Sequence, residues 1–259
     1  MHFFLLGSLK VESSGRRISI TAPKQRAVLA ALLLNANNEV QIDSLIRYVW
    51  DARPPATAQT TLQSYIYRLR QLLRAVPGVE LGTATDSYLL SVDEVDTDLW
   101  YFRRRAEAAR EAVALGEPEE AVPRFREALG AWRGGALAGI PGAAIQQEAR
   151  ILEGERIAVY EELFGTEMRL GRHRQIVPEL HKVVSVYQVH EAFRAQLMLA
   201  LYASGRQAEA LQHYAVMRRR LSEHFGIEPG QELQELHRSI LNRVPAMELS
   251  RRTKESILG

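Results

Sequence analysis

A mainly α-helical chain with a small α+β unit at its N-terminus is the fold class this sequence predicts, on three observations. Residues 1–92 alternate short strand-like runs with helix-like runs and close on two strands joined by a polar turn. After Asp96 the pattern turns wholly helical. In that second part a glycine followed by small or apolar residues at +5, +9 and +12 recurs three times.

The elements follow in order. Phe3, Leu5, Leu9 and Val11 roughly alternate, and Ser13-Ser14-Gly15 is a turn before Arg17-Ile18-Ser19-Ile20, so residues 1–22 read as strands. Pro23 suits a helix start. The helix-forming run Ala27 to Leu34 is stopped by Asn35 to Asn38. Glu39 to Ile42 is a short strand, and Asp43 is the expected N-cap of a helix through Trp50, which Arg53-Pro54-Pro55 breaks. A longer helix runs from about Thr57 to Ala75 and ends at Pro77-Gly78. Val79 to Val92 reads as two strands around Thr85-Asp86-Ser87. A helix pair followed by a β-hairpin is the layout of a winged helix-turn-helix, with the hairpin as the wing. The leading strands point to its response-regulator type.

Helices alone are expected beyond Asp96. Gly116 precedes Ala121, Phe125 and Ala128; Gly171 precedes Ile176, Leu180 and Val183; Gly205 precedes Ala210, Tyr214 and Met217. The last two glycines lie 34 residues apart, the tetratricopeptide period, and the first two 55 apart, with a Gly-containing loop from Trp132 to Gly142 between them. The glycine ends one helix, and the small residue five later lets the next approach. The last helix is expected over Gln231 to Leu241. The domains are therefore a winged helix over 1–95, a tetratricopeptide-like all-α domain over 96–245 and a loose tail over 246–259.

Composition narrows the function. The 259 residues contain no cysteine, which excludes disulfides, thiol nucleophiles and cysteine metal sites. The apolar run Phe3 to Leu6 is too short for a secretion signal, and no stretch reaches the roughly 20 apolar residues of a membrane span. A cytoplasmic location with no membrane partner is expected. Net charge is only +2, yet Arg47, Arg53, Arg68, Arg70 and Arg74 stand against a single acid, Asp51, between positions 47 and 74.

On the helix 57–75, Leu62, Ile66, Leu69 and Leu73 fall within about 60° of one another and form the buried stripe. The opposite side carries Thr57, Thr60, Ser64, Tyr67, Gln71 and Arg74, flanked by Gln63 and Arg68. These hydroxyls, amides and guanidiniums suit base edges and phosphates, and no acid interrupts them. Thr60, Gln63, Ser64, Tyr67, Arg68 and Gln71 are the candidate base readers. Arg47, Arg53, Thr57, Arg70 and Arg74 are the candidate backbone contacts, and Thr83, Thr85 and Ser87 the candidate wing contacts. The seven histidines show no tight ligand spacing, and neither GxxxxGK[ST] nor GxGxxG occurs, so no enzyme, metal or cofactor is expected.

Several segments resemble the Streptomyces antibiotic regulatory proteins. They are Pro23-Lys24-Gln25-Arg26-Ala27-Val28-Leu29, the run Thr61 to Arg70, Ala131-Trp132-Arg133-Gly134 with Leu137, Leu197 to Tyr202 with Ser204 to Leu211 and Tyr214, and Phe225 to Gly230. The similarity spans about residues 3–243. It implies a response-regulator-type winged helix and a bacterial transcriptional activation domain. It further implies an activator that binds direct repeats upstream of antibiotic or other biosynthetic gene clusters. The implied partners are double-stranded DNA, RNA polymerase through its sigma factor and other subunits, and further copies of the chain on tandem repeats, in the nucleoid. It also implies a small form, with neither a receiver domain nor an appended nucleotide-hydrolysing domain. Two segments depart from the family pattern: Ser87-Tyr88 stands where Gly-Tyr is usual, and Tyr187 to Glu191 where His-Pro-Leu-Arg-Glu is frequent. The competing reading is a tetratricopeptide-type protein-interaction adaptor without specific DNA binding, which has no need of the acid-free helix face.

Overall fold

The computed structural model describes residues 2–93, 96–246 and 248–249. Of the expected tail, Met247 and residues 250–259 lie outside the described residues. The chain forms two compact units, one of residues 1–108 with 124–158 and one of residues 109–123 with 159–259.

In the first unit, β1 (Phe3–Phe4), β2 (Lys10–Ser13) and β3 (Arg16–Ile18) make an antiparallel sheet in which Phe3 pairs with Val11 and Val11 with Ile18. The turn between β2 and β3 uses left-handed Ser14 and Gly15. Helix α1 (Pro23–Leu34) carries its proline in the first turn, and every residue from Ala27 to Leu33 is buried. A helix that is apolar on all sides must lie at the centre of a core. Helices α2 (Ile42–Trp50) and α3 (Ala58–Leu73) pack on it, and β6 (Ser87–Ser91) lies against it. The second sheet runs β4 (Glu39–Gln41), β6, β5 (Glu80–Ala84), so β6 is its central strand.

Asp43 is not the N-cap of α2. Strand β4 runs straight into the helix, the Ile42 N–H donates to the Asp86 carbonyl at 2.9 Å, and Gln41 takes the cap position. Asp43 lies instead in the first turn, where its charge still opposes the helix dipole.

The first unit also recruits chain beyond residue 95. Helix α4 (Asp98–Ala114) opens on a Thr97 cap, whose hydroxyl accepts the Trp100 N–H at 3.0 Å. The Asp98 carboxylate accepts the N–H groups of Leu5 and Leu6 at 2.7 and 3.0 Å. Burial pushes its pKa up, and the two N–H groups and Arg133 pull the other way. The loop after α5 (Pro118–Gly130) runs beside residues 5–8: the N–H groups of Arg133, Leu137 and Ala138 donate to the carbonyls of Leu6, Leu5 and Gly7. Trp132 in this loop meets Phe102 edge-on at 5.5 Å.

In the second unit, α7 (His173–Val186), α8 (Glu191–Ala203), α9 (Gln207–Phe225) and α10 (Gln231–Leu241) pack as successive neighbours. The repeat glycines do one physical job. Gly116, Gly171 and Gly205 have φ of 78°, 74° and 80°, and the N–H of the next residue closes back on the carbonyl five positions earlier (Glu117 to Ala112, Arg172 to Glu167, Arg206 to Leu201). Such a left-handed helix stop favours glycine because a Cβ there crowds the carbonyl. The residue five beyond each glycine (Ala121, Ile176 and Ala210) is almost wholly buried. The long first interval also has its reason. Helix α6 (Ala143–Arg169) has 27 residues against 13 in α8, and the loop 131–142 exceeds the loop 187–190.

Candidate nucleic-acid interface

Helix α3 is set by its own periodicity. Ala58, Leu62, Ile66, Leu69 and Leu73 are buried, while Thr60, Gln63, Ser64, Tyr67, Arg68, Gln71 and Arg74 are exposed. Tyr67 is 63% exposed, unusual for a large ring on a packed helix. Thr57 is the N-cap, with an exposed side chain that makes no capping bond, and the first turn holds no acid. Its end therefore offers unclaimed N–H groups to an anion. Trp50 and Tyr65 stack at 6.3 Å between α2 and α3, and the Lys24 ammonium sits 5.1 Å from the Trp50 ring. That packing orients α3 in the helix pair.

Several of these side chains already hold partners. The Ser64 hydroxyl donates to the Thr60 carbonyl at 3.1 Å, so it presents lone pairs rather than a proton to an approaching base. Arg74 donates to the Gln71 amide oxygen at 2.9 Å, and Arg47 to the Ser44 hydroxyl at 2.9 Å. Both arginines stay exposed with donors to spare, as does Arg53 in the turn before α3.

Two expected contacts are placed elsewhere. Ser87 is fully buried in the central strand β6, and its hydroxyl donates to the Glu39 carboxylate at 2.6 Å, so it has no surface to offer DNA. Arg70 turns off the reading face: its Nε donates to the Leu81 carbonyl at 2.7 Å, and it also donates to the Thr83 hydroxyl. Of the wing residues, Thr83 and Thr85 are exposed, and Thr85 sits at the tip beside left-handed Asp86.

The lone acid of the basic stretch also has a place that the sequence did not announce. Asp51, left-handed at φ 53°, ends α2, and its carboxylate accepts the Ala143 and Ala144 N–H groups at 2.8 and 3.3 Å. Its charge is thus committed to the first turn of α6. Gly142 precedes that turn, where an added Cβ would lie 3.1 Å from the Tyr48 carbonyl. Nearby the Tyr48 hydroxyl donates to Glu148 at 2.7 Å; burial, then the Glu148 charge and bond, push that phenol up to about 12.

Among the described residues no cluster of acids and histidines could hold a metal ion, and no helix is long and apolar enough to cross a membrane. Arg103, Arg105 and Arg110 lie against Glu155, Glu127 and Glu162, so the basic character of α4 is matched within the fold.

Comparison with known proteins places these features. A family model described as the bacterial transcriptional activator domain matches residues 97–241, and one described as the C-terminal part of transcriptional regulatory proteins matches residues 15–84. The chain is 37% identical over 257 residues to the regulatory protein DnrI of Streptomyces peucetius, covering 96% of this chain and 94% of DnrI. It is 36% identical over 258 residues to the regulatory protein AfsR of Streptomyces coelicolor, covering 99% of this chain but only 26% of AfsR. Mycobacterium tuberculosis EmbR, solved in complex with a low affinity phosphopeptide, superposes with a TM-score of 0.88 at 31% identity, over 99% of this chain and 69% of EmbR.

Proposed function

The chain belongs to the Streptomyces antibiotic regulatory protein family of transcription regulators, and we propose that it is an activator that reads direct repeats at promoters of a biosynthetic gene cluster. In this reading α3 lies in the major groove with its buried stripe on α1 and its open face on the bases. Thr60, Gln63, Ser64, Tyr67, Arg68 and Gln71 face base edges. Arg47, Arg53, Thr57 and Arg74 hold the phosphates on either side, and Thr83 and Thr85 bring the wing to the neighbouring backbone. The helical part, residues 96–245, makes the contacts with RNA polymerase, through the sigma factor and other subunits, and copies of the chain assemble side by side on tandem repeats.

The observation that carries this reading is the composition of one surface. The exposed side of α3 has hydroxyls, amides and guanidiniums without a carboxylate, and the one acid between positions 47 and 74, Asp51, accepts two N–H groups of the first turn of α6. A polyanion meets no carboxylate on that face, and its counterions are released on contact. Protection mapping of promoter DNA is the test. A pair of protected windows at one helical repeat or a multiple of it supports binding to direct repeats. Absence of any protection at low salt refutes it, and leaves the protein-interaction adaptor.

A further inference from the structure

The geometry points to Arg70 as a positioning residue that braces the wing against the reading helix, an assignment that rests on the DNA-reading role proposed for that helix. Taking Leu62 as zero, Arg70 lies about 80° around α3, whereas Thr60, Ser64, Tyr67 and Gln71 lie at about 140–200°. It therefore projects from the flank, beside strand β5 rather than over the groove-facing side. There its planar fork is divided between two residues of one strand: Nε donates to the Leu81 carbonyl at 2.7 Å, and an Nη donates to the Thr83 hydroxyl. Its guanidinium carbon lies 6.0 Å from the ring centre of Tyr88, the cross-strand partner of Thr83. One side chain thus touches both strands of the hairpin.

The other edge of the hairpin is also tied. Ser87, which pairs with Gln41, donates its hydroxyl to Glu39 on β4 at 2.6 Å. The wing is fastened to α3 along β5 and to the sheet along β6. A helix in one groove and a wing on the adjacent backbone engage the duplex together only at a set separation. Fixing that separation before binding removes an ordering penalty from the binding step. Arginine suits the task because its rigid fork spans a carbonyl and a hydroxyl at once, which the single ammonium of lysine does not.

A phosphate contact and a brace respond differently to substitution, so Arg70→Ala, Arg70→Lys and Thr83→Val in the full chain separate them. Fluorescence anisotropy on promoter DNA over a salt series gives affinity and salt slope. Amide hydrogen exchange of the DNA-free protein gives the order of the wing. For a brace, all three variants lose roughly 5- to 10-fold in affinity, as expected for one lost hydrogen-bonded pair. The salt slope stays that of the unaltered protein, Arg70→Lys does not rescue, and exchange quickens at the amides of Leu81 to Leu90 while those of α1 keep their protection. A slope smaller by about one unit in Arg70→Ala, restored by Arg70→Lys with wing exchange unchanged, overturns the proposal in favour of a direct phosphate contact. If Arg70→Ala fails to fold, Thr83→Val, which leaves every cation in place, decides by the same exchange readout. Faster wing exchange in a protein whose unaltered form binds no DNA would uphold the brace and overturn the DNA-reading role instead.

Discussion

Ser64 and Tyr67 should choose sequence rather than merely add affinity. Both stand on the exposed side of α3, about 200° and 140° around the helix from Leu62 on the buried stripe, so a helix seated in the groove must aim them at base edges. Tyr67→Phe removes one hydroxyl from a ring that is 63% exposed, and so disturbs no packing. Ser64→Ala removes a hydroxyl bonded only to the Thr60 carbonyl in the helix itself, and alanine is the better helix former, so the fold should not weaken. The loss then falls on DNA alone. A base contact is worth about 1–3 kcal/mol at its base pair, or roughly 5- to 150-fold. Because Ser64 offers lone pairs, the base group it reads should be an amino donor of adenine or cytosine. Anisotropy with promoter and scrambled duplexes across a salt series reads both quantities: the affinity ratio should fall in each variant and the salt slope should hold. An unchanged ratio in both would refute this rotational placement and move the reading face toward Thr61 and Arg68.

Other perturbations test the rest of the interface and its support. Arg68→Ala and Arg74→Ala should weaken binding to promoter and scrambled DNA alike, with a salt slope smaller by about one unit per lost phosphate contact; an unchanged slope in both removes the phosphate role. A fragment of residues 1–158, which keeps Asp98 and the loop beside residues 5–8, should melt cooperatively and bind promoter DNA but not activate purified RNA polymerase; activation by it would take that role from residues 159–245. Asp98→Ala strands the Leu5 and Leu6 N–H groups in the interior, at about 1–3 kcal/mol each, which urea unfolding would show as a lower midpoint. Acid should loosen the second unit. Burial first, then Arg194 and His181, hold His213 down at about 4, and its Nδ1 stands 3.0 Å from the Arg194 guanidinium, while Glu209 pulls its pKa upward and Arg206 downward. The unfolded chain takes up the proton from about 6.5 and the folded chain does not. Stability is therefore whole above that pH and falls between there and 4, by roughly 1–2 kcal/mol once partial exposure is allowed for. A thermal midpoint that ignores pH over that range in the unaltered chain refutes this, and His213→Gln should flatten the profile.

The division between what was legible in the sequence and what was not follows the range of the interactions. Periodicity along one helix is local, so the buried stripe of α3, the glycine stops at Gly116, Gly171 and Gly205, and the span of α10 could all be read from spacing. A side chain on the flank of a helix is decided by what lies beside it, and spacing does not contain that. The wheel sets Arg70 about 80° from Leu62 and Arg68 about 120° the other way, but it does not show the strand that lies beside the first. Ser87 looked like a turn residue because its neighbours are polar, but the hairpin turn holds only two residues, Thr85 and Asp86, between the strands, which puts Ser87 in the central strand and buries it. The loop 131–142 carried one usable signal: Trp132, Leu137 and Ile140 are large apolar residues in a Gly- and Pro-containing stretch, and all three are buried. Such residues in a loop mark a segment that packs, although the partner, residues 5–8, stands more than a hundred positions away. Asp51 shows the same limit with the sign reversed. Counted as charge, it subtracts from a basic stretch; placed in the fold, it ends α2 and caps α6, off the exposed side of α3. The net charge of a segment thus says little about a binding face, because residues adjacent in sequence need not share a surface, and such a face is better judged by the polar groups exposed on it.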